Sequence, residues 1–331
     1  MNRFSFRDHS RTMAATLAVV CGLLIVGCSR QTATQTPEVL RLGVDAGAME
    51  DAPIFVAEAK GFWKDEHLNV EIRPFASGRL ALDALIGNGV DAATASDIPV
   101  VFAAYHKHPV RIITTFSDSA RDISMLARRD RGILKPQDLR GKKIALPLGT
   151  AAEYVMDMFL NRNNIARSAV TVVGLQAPDT VPALIRGDVD AVFGWQPYIY
   201  NGQQRLGANA VVVTSEGIYS EPFNIIVLDS ALTARAEFLT KLLRGLEKAV
   251  EFTKSNRQDA ITIVAAKLGI EVKTADAIWD YYSFQSVLRP SLASSLRDEG
   301  VWAKQAGIEK PDATEPPYES LVSDAIQRRL R

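Results

Sequence analysis

The sequence predicts an α/β protein of two similar lobes, each a sheet with flanking helices, followed by a helical C-terminal extension. Three observations carry this. Short apolar strands alternate with helical stretches from residue 39 to residue 228. A nine-residue segment recurs at an offset of 99 residues. Beyond Ser230 the pattern turns almost entirely helical.

The elements follow in order. Residues 39–44 form a short apolar strand, and residues 53–60 a helix that stops at Gly61. Residues 70–75 alternate at period two, as a half-buried strand does. Ser77-Gly78 starts a helix through Ile86. A small strand at 92–95 leads into a helix from Asp97 to about His106, and 110–116 is a strand rich in β-branched residues. This rhythm predicts a parallel sheet with crossover helices. A second unit starts near Ser117, with strands at 143–146, 170–175 and 191–194. Helices are expected from Ala151 to about Arg162, over 179–185 and over 195–204. Strands at 211–214 and 224–228 then return toward the first unit.

The repeat pairs Ala84-Leu85-Ile86-Gly87-Asn88-Gly89-Val90-Asp91-Ala92 with Ala183-Leu184-Ile185-Arg186-Gly187-Asp188-Val189-Asp190-Ala191, identical at six of nine positions. Each copy is a helix end, a glycine turn and a short strand, so two similar lobes face to face explain it. The offset makes Asp97 and Gln196 equivalent. Ligands of open α/β sheets bind outside the carboxyl ends of strands, which sets the two segments on opposite walls of a cleft.

Arg3, Arg7 and Arg11 precede an uncharged run of 14 residues, 13–26. At ~1.5 Å per residue that is roughly 21 Å of helix, short of a bilayer core of about 30 Å. It reads as a signal peptide. Ile25-Val26-Gly27-Cys28 resembles a bacterial lipobox, which makes Cys28 a lipidated first mature residue, followed by a flexible tether to Pro37. The expected divisions are 1–27 signal peptide, 28–37 linker, 38–116 first lobe, 117–221 second lobe, and 222–331 a return strand with C-terminal helices. Cys21 leaves with the signal, so the mature body has no thiol to form a disulfide, a Cys-ligated metal site or a nucleophile. Residues 1–27 hold three Arg and one Asp; cleavage takes the 38 basic and 38 acidic residues to 35 and 37. No basic stripe is visible, so nucleic acid is not an expected partner.

Several segments resemble the periplasmic binding proteins of ABC importers for nitrate, sulfonates and taurine, with relatives for thiamine-pyrimidine precursors. They are residues 53–63 (Pro53 to Trp63), 84–99, 138–145 with Gly149-Thr150, and 187–197. The resemblance covers roughly residues 40–229. It implies a two-lobed periplasmic-binding-protein fold of type II character, with two chain crossings near Phe116 and Pro222. It further implies no enzyme activity, a small-molecule solute, an ABC permease as partner, a lipid-held place in the periplasm or at the cell surface, and a monomer.

A small anion buried between lobes loses water at a cost of several kcal/mol. Hydrogen bonds to a charged group return roughly 1.5–3 kcal/mol each, so several donors must converge. Ser77-Gly78 and Gly149-Thr150-Ala151 offer helix N-termini for this, with free N–H groups and a favourable dipole; either Ser77 or Thr150 could equally be a plain N-cap. Ala48 and Met49 follow the first strand and Ser96 the third, at the expected cleft. Asp97 is a good N-cap whose loop also reaches the ligand. Trp195 either packs on a ligand or fills the core. Similar taurine binders carry an acid at the place of Gln196, so its neutral amide favours an amine-free solute. The expected solute is therefore a small anion, such as a sulfonate or nitrate, or alternatively a neutral pyrimidine-like heterocycle. The related pyrimidine-precursor synthases rely on a cysteine-rich motif that this chain lacks. No cofactor or metal is expected: His106 and His108 have no third ligand nearby in sequence, and no phosphate-loop or nucleophile-elbow motif is present.

Overall fold

The computed structural model describes residues 39–331, so the expected signal peptide, Cys28 and the tether lie outside the described residues. The first lobe begins with β1 (Val39–Asp45), α1 (Ala52–Lys60), α2 (Phe62–Asp65), β2 (Asn69–Phe75), α3 (Gly78–Ile86), β3 (Ala92–Ser96), α4 (Asp97–Tyr105) and β4 (Val110–Ser119). Local chemistry sets these bounds. Pro53 opens α1, and Gly61 ends it with a left-handed φ of 73°. Ser77 caps α3 by accepting from the Leu80 N–H. In β1, Leu40, Leu42 and Val44 are fully buried, as a strand with neighbours on both sides requires.

The second lobe comprises β5 (Ser124–Arg128), β6 (Lys143–Leu146), α5 (Ala151–Arg162), β7 (Thr171–Gly174), α6 (Ala177–Arg186), β8 (Ala191–Gly194), α7 (Tyr198–Leu206) and β9 (Ala210–Thr214). The chain then returns through β10 (Glu221–Leu228), α8 (Ala231–Ala234), α9 (Ala236–Ser255), α10 (Arg257–Leu268), α11 (Val272–Trp279), β11 (Ser283–Val287) and α12 (Leu292–Gln305). Among the described residues no helix is long and apolar enough to cross a membrane.

The strands make two sheets, ordered β11-β4-β10-β3-β1-β2 and β7-β6-β8-β5-β9. Both are mixed, which corrects the expectation of parallel sheets. Each parallel set, β2-β1-β3 or β7-β6-β8, is extended by antiparallel strands. Other differences have local causes. The strand expected to end at Phe116 runs to Ser119, because Ser117–Ser119 pair with β10. The segment 124–128 carried no strand expectation, yet β5 sits between β8 and β9; its residues Ser-Met-Leu-Ala-Arg have weak β character, and pairing on both sides decides. Residues 211–214 pair with β5 and stay in the second sheet instead of returning. The C-terminal region adds β11 to the edge of the first sheet. The helix expected from Trp195 starts at Tyr198.

The repeat behaves as expected, each copy joining a helix to a strand, α3 to β3 and α6 to β8. The tight turns agree, with the left-handed residue at the equivalent position. Asn88 takes the left-handed φ of 57° in the first copy, and Gly187 takes 86° in the second. On the back of the first lobe, α9 buries Leu239, Leu242, Leu243, Leu246 and Val250 along one face. Gly245 on that face lets the Trp63 ring approach, and the Trp63 Nε1–H donates to the Leu242 carbonyl at 3.0 Å.

Candidate functional site

Two chain crossings join the sheets, one between β4 and β5 and the other between β9 and β10. They lie side by side, since Glu221 at the start of β10 pairs with Ser119 at the end of β4. Other contacts hold the lobes together. The Arg79 guanidinium on α3 donates to the Leu148 carbonyl at 2.7 Å. The Trp302 Nε1–H on α12 donates to Asp157 on α5 at 3.0 Å. Asp157 also pairs with Arg167 at 2.6 Å. Tyr154 on α5 packs edge-on against Tyr219 and Trp302, with ring centroids 5.2 and 5.0 Å away.

Between the sheets lies a small cavity of about 20 Å³. Its lining comes from both lobes and the β4–β5 crossing. Ala48, Ser77, Gly78, Ser96, Glu221 and Phe223 come from the first lobe, Thr150, Ala151 and Trp195 from the second, and Asp122 from the β4–β5 crossing. Asp45, Glu50, Arg79 and Pro99 complete it.

The cavity draws backbone donors from both lobes, though the Gly78 N–H already donates to the Asp45 carboxylate. The N-termini of α3 and α5, from opposite lobes, both reach it. Gly78 is required there by packing, because a Cβ would fall 2.8 Å from the Ala95 Cα. Gly149 turns the chain into α5 with a φ of 72°, and its N–H donates to Glu153 at 2.7 Å. The Thr150 hydroxyl donates to the Pro147 carbonyl at 2.7 Å and is therefore engaged within the turn. Trp195 adds an indole N–H that is buried and has no partner.

The lining is also acidic. Glu50, Asp122 and Glu221 place one carboxylate oxygen each within 4.8 Å of the others. All three are buried, at 1%, 1% and 4% exposure. Both Glu50 oxygens, Asp122 Oδ2 and Glu221 Oε2 receive no donor from the rest of the chain, and Glu50 and Asp122 share a hydrogen bond when one of them is protonated. The remaining Asp122 oxygen accepts from the Gln196 N–H at 3.2 Å and from the Tyr282 hydroxyl. Burial is the main cause that pushes Asp122 up to about 6, and Glu50 and Glu221 well above the usual carboxylate range, the last two helped by repulsion from Asp122. Asp45, at the end of β1, is raised to about 7 by the same burial.

Of the residues expected at the site from sequence, Ala48, Ser77, Gly78, Ser96, Thr150, Ala151 and Trp195 line the cavity, whereas Met49, Asp97, Gly149 and Gln196 do not. Met49 is core. Asp97 is the first residue of α4, with Ser96 in the cap position; its carboxylate takes the Ile98 N–H and the Tyr219 hydroxyl. The Gln196 side chain turns to its own helix and accepts from the Tyr200 N–H at 2.9 Å. Sequence reasoning missed Glu50, Asp122 and Glu221. They are 72 and 99 residues apart in the chain and share no motif; their one signal is that Asp122 and Glu221 flank the expected crossings.

A family described as NMT1/THI5 like matches residues 49–260. The chain is 30% identical over 148 residues to the taurine-binding periplasmic protein of Escherichia coli K12, spanning 44% of this chain and 46% of that protein. It is 23% identical over 264 residues to a putative aliphatic sulfonates-binding protein of Bacillus subtilis 168, spanning 77% and 78%. Its fold is similar to the alkanesulfonate-binding protein of Xanthomonas axonopodis pv. citri solved with MOPS, with a TM-score of 0.75, 18% identity and coverage of 87% and 98%. With more than half of its length matched, this chain belongs to the NMT1/THI5-like family.

Proposed function

We propose that this protein is the solute-binding component of an ABC importer, a monomer held at the membrane by lipid on Cys28. It captures a small solute between its lobes and presents it to a permease. One observation carries the reading: helix N-termini from two opposite lobes converge on one interlobe cavity, beside an unpartnered indole N–H. At about 20 Å³ the cavity holds roughly one water as it stands, so a solute enters when the lobes part. The two helix N-termini and the indole N–H suit an oxyanion such as a sulfonate, because N–H groups and helix dipoles replace its water. The names of the relatives, taurine-binding and aliphatic sulfonates-binding, support the same solute class. Binding needs no chemistry on the solute, and the chain beyond Cys28 has no thiol for a cysteine-dependent reaction.

Two crossings and few interlobe bonds suit rigid-body closure about a hinge. The test is a thermal-shift screen of the processed protein against alkanesulfonates, aminoalkanesulfonates, nitrate and pyrimidines. A true solute at 100 times its Kd stabilises by about 2.7 kcal/mol. A screen in which every solute leaves the melting temperature unchanged refutes the reading.

A further inference from the structure

We propose that Arg79 is the gate of the closed cleft and limits the length of the solute held there. This rests on the solute-binding reading above and deepens it. Arg79 is the second residue of α3 and, among the described residues, the one basic side chain in the cavity lining. Its guanidinium reaches across to the second lobe, where Nη1 donates to the Leu148 carbonyl at 2.7 Å. It lies against the backbone of Gly149, where a Cβ would collide with it. Asp83, one turn along α3, stands 3.9 Å from Nε. The side chain is 44% exposed although it also lines the cavity, so it stands between the cavity and solvent. Another cross-lobe contact sets the Tyr198 ring on the Gly47 backbone and parts only when the lobes do. A long side chain such as Arg79 changes rotamer and swings outward while both backbones stay in place.

Outside the guanidinium lies a groove of about 510 Å³, lined from both lobes. Ser77, Arg79 and Thr150 line both this groove and the cavity, so Arg79 stands where the two spaces meet. The cavity holds about 20 Å³, whereas the groove is within the range of small-molecule sites, roughly 300–1,000 Å³. Leu80, Pro147, Leu148 and Leu175 give the groove apolar wall, and Asp83 and Asp179 are also in its lining. That mixture suits an alkyl tail and repels a second anionic group. A solute short enough to sit behind Arg79 lets the bond to Leu148 form over it. A longer one must displace the guanidinium and lay its tail in the groove, and the lost charge-assisted bond counts against it.

Two measurements test this on Arg79→Ala, after circular dichroism has shown that it folds. The first needs no solute. Trp195 lines the cavity and is 6% exposed, and its emission is isolated by subtracting that of a Trp195→Phe variant. Acrylamide should quench it at least twofold more strongly in Arg79→Ala than in the parent. The second is titration calorimetry with ethanesulfonate, butanesulfonate and octanesulfonate. The affinity for octanesulfonate relative to ethanesulfonate should rise at least about tenfold in Arg79→Ala, the lower end of what a hydrogen bond from a charged donor is worth. Equal weakening along the series overturns the gate and leaves the solute-binding reading standing, with Arg79 a plain contact. Unchanged quenching overturns the gate whichever sulfonates bind. Stronger quenching with no sulfonate bound supports the gate and counts against a sulfonate as the solute.

Discussion

Neutralising Asp45 should change how stability depends on pH. Asp45 is 3% exposed and faces two other acids, Asp51 and Asp122, together with the Tyr198 hydroxyl. Burial raises its carboxyl from 3.8 to about 7. A folded-state value above the unfolded one means that the folded chain keeps a proton which the unfolded chain gives up. Below about pH 4 both states are protonated and the group costs nothing. From pH 4 to 7 stability falls by about 1.4 kcal/mol per unit, on the order of 4 kcal/mol in all. Asn at this position is neutral throughout, and its carbonyl can still accept from the Gly47 N–H, now bonded at 2.9 Å. Asp45→Asn should therefore be nearly neutral at pH 4.5 and gain at least about 2 kcal/mol at pH 8, half the full shift to allow for relaxation. Urea unfolding of both proteins without solute, at pH 4.5, 6 and 8, measures this. A stability difference that stays flat with pH, or that is larger in acid, refutes the argument.

Other changes have equally direct readouts. Gly47→Ala points a methyl at Tyr198 on the opposite lobe, whose hydroxyl oxygen would be 2.2 Å away; small-angle scattering should show a larger radius of gyration, and an unchanged profile would count against closure at this contact. Trp302→Phe removes the hydrogen bond to Asp157 and should cost about 1.5–3 kcal/mol by urea unfolding, since hydrogen bonds to charged groups are of that size; an unchanged midpoint would show that the contact contributes nothing. Gly300→Ala drives a methyl to 1.8 Å from the Tyr318 hydroxyl and should destabilise by about 1–3 kcal/mol, lowering the Tm; a Tm equal to that of the parent would mean that Tyr318 simply moves aside.

The sequence carried the architecture further than it carried the site. Hydrophobic period and glycine turns marked β1, β2, α3 and β8 because those signals are local. The repeat located both walls of the cleft for the same reason. β5 and β11 escaped because their strand character comes from neighbours and not from their own residues. At the cavity, the helix starts at Gly78 and Ala151 were readable from Gly, Ser and Thr. The acids were not, because a lone Glu or Asp has no period and only the folded chain brings Glu50, Asp122 and Glu221 together. Gln196 shows the converse: its position along the strand was well placed, and its rotamer, set by the Tyr200 N–H, was beyond any pattern.

One member of the acidic trio, Asp122, belongs to a connection between the lobes, Glu221 opens the strand that the other connection leads into, and the two connections run side by side. A lineage that exchanged Asp122 or Glu221 to accept a new solute would alter the stiffness of a connection in the same step. Taste and mechanics are then inherited together, and diversification that leaves the opening motion intact is steered toward wall positions such as Ser77 and Thr150.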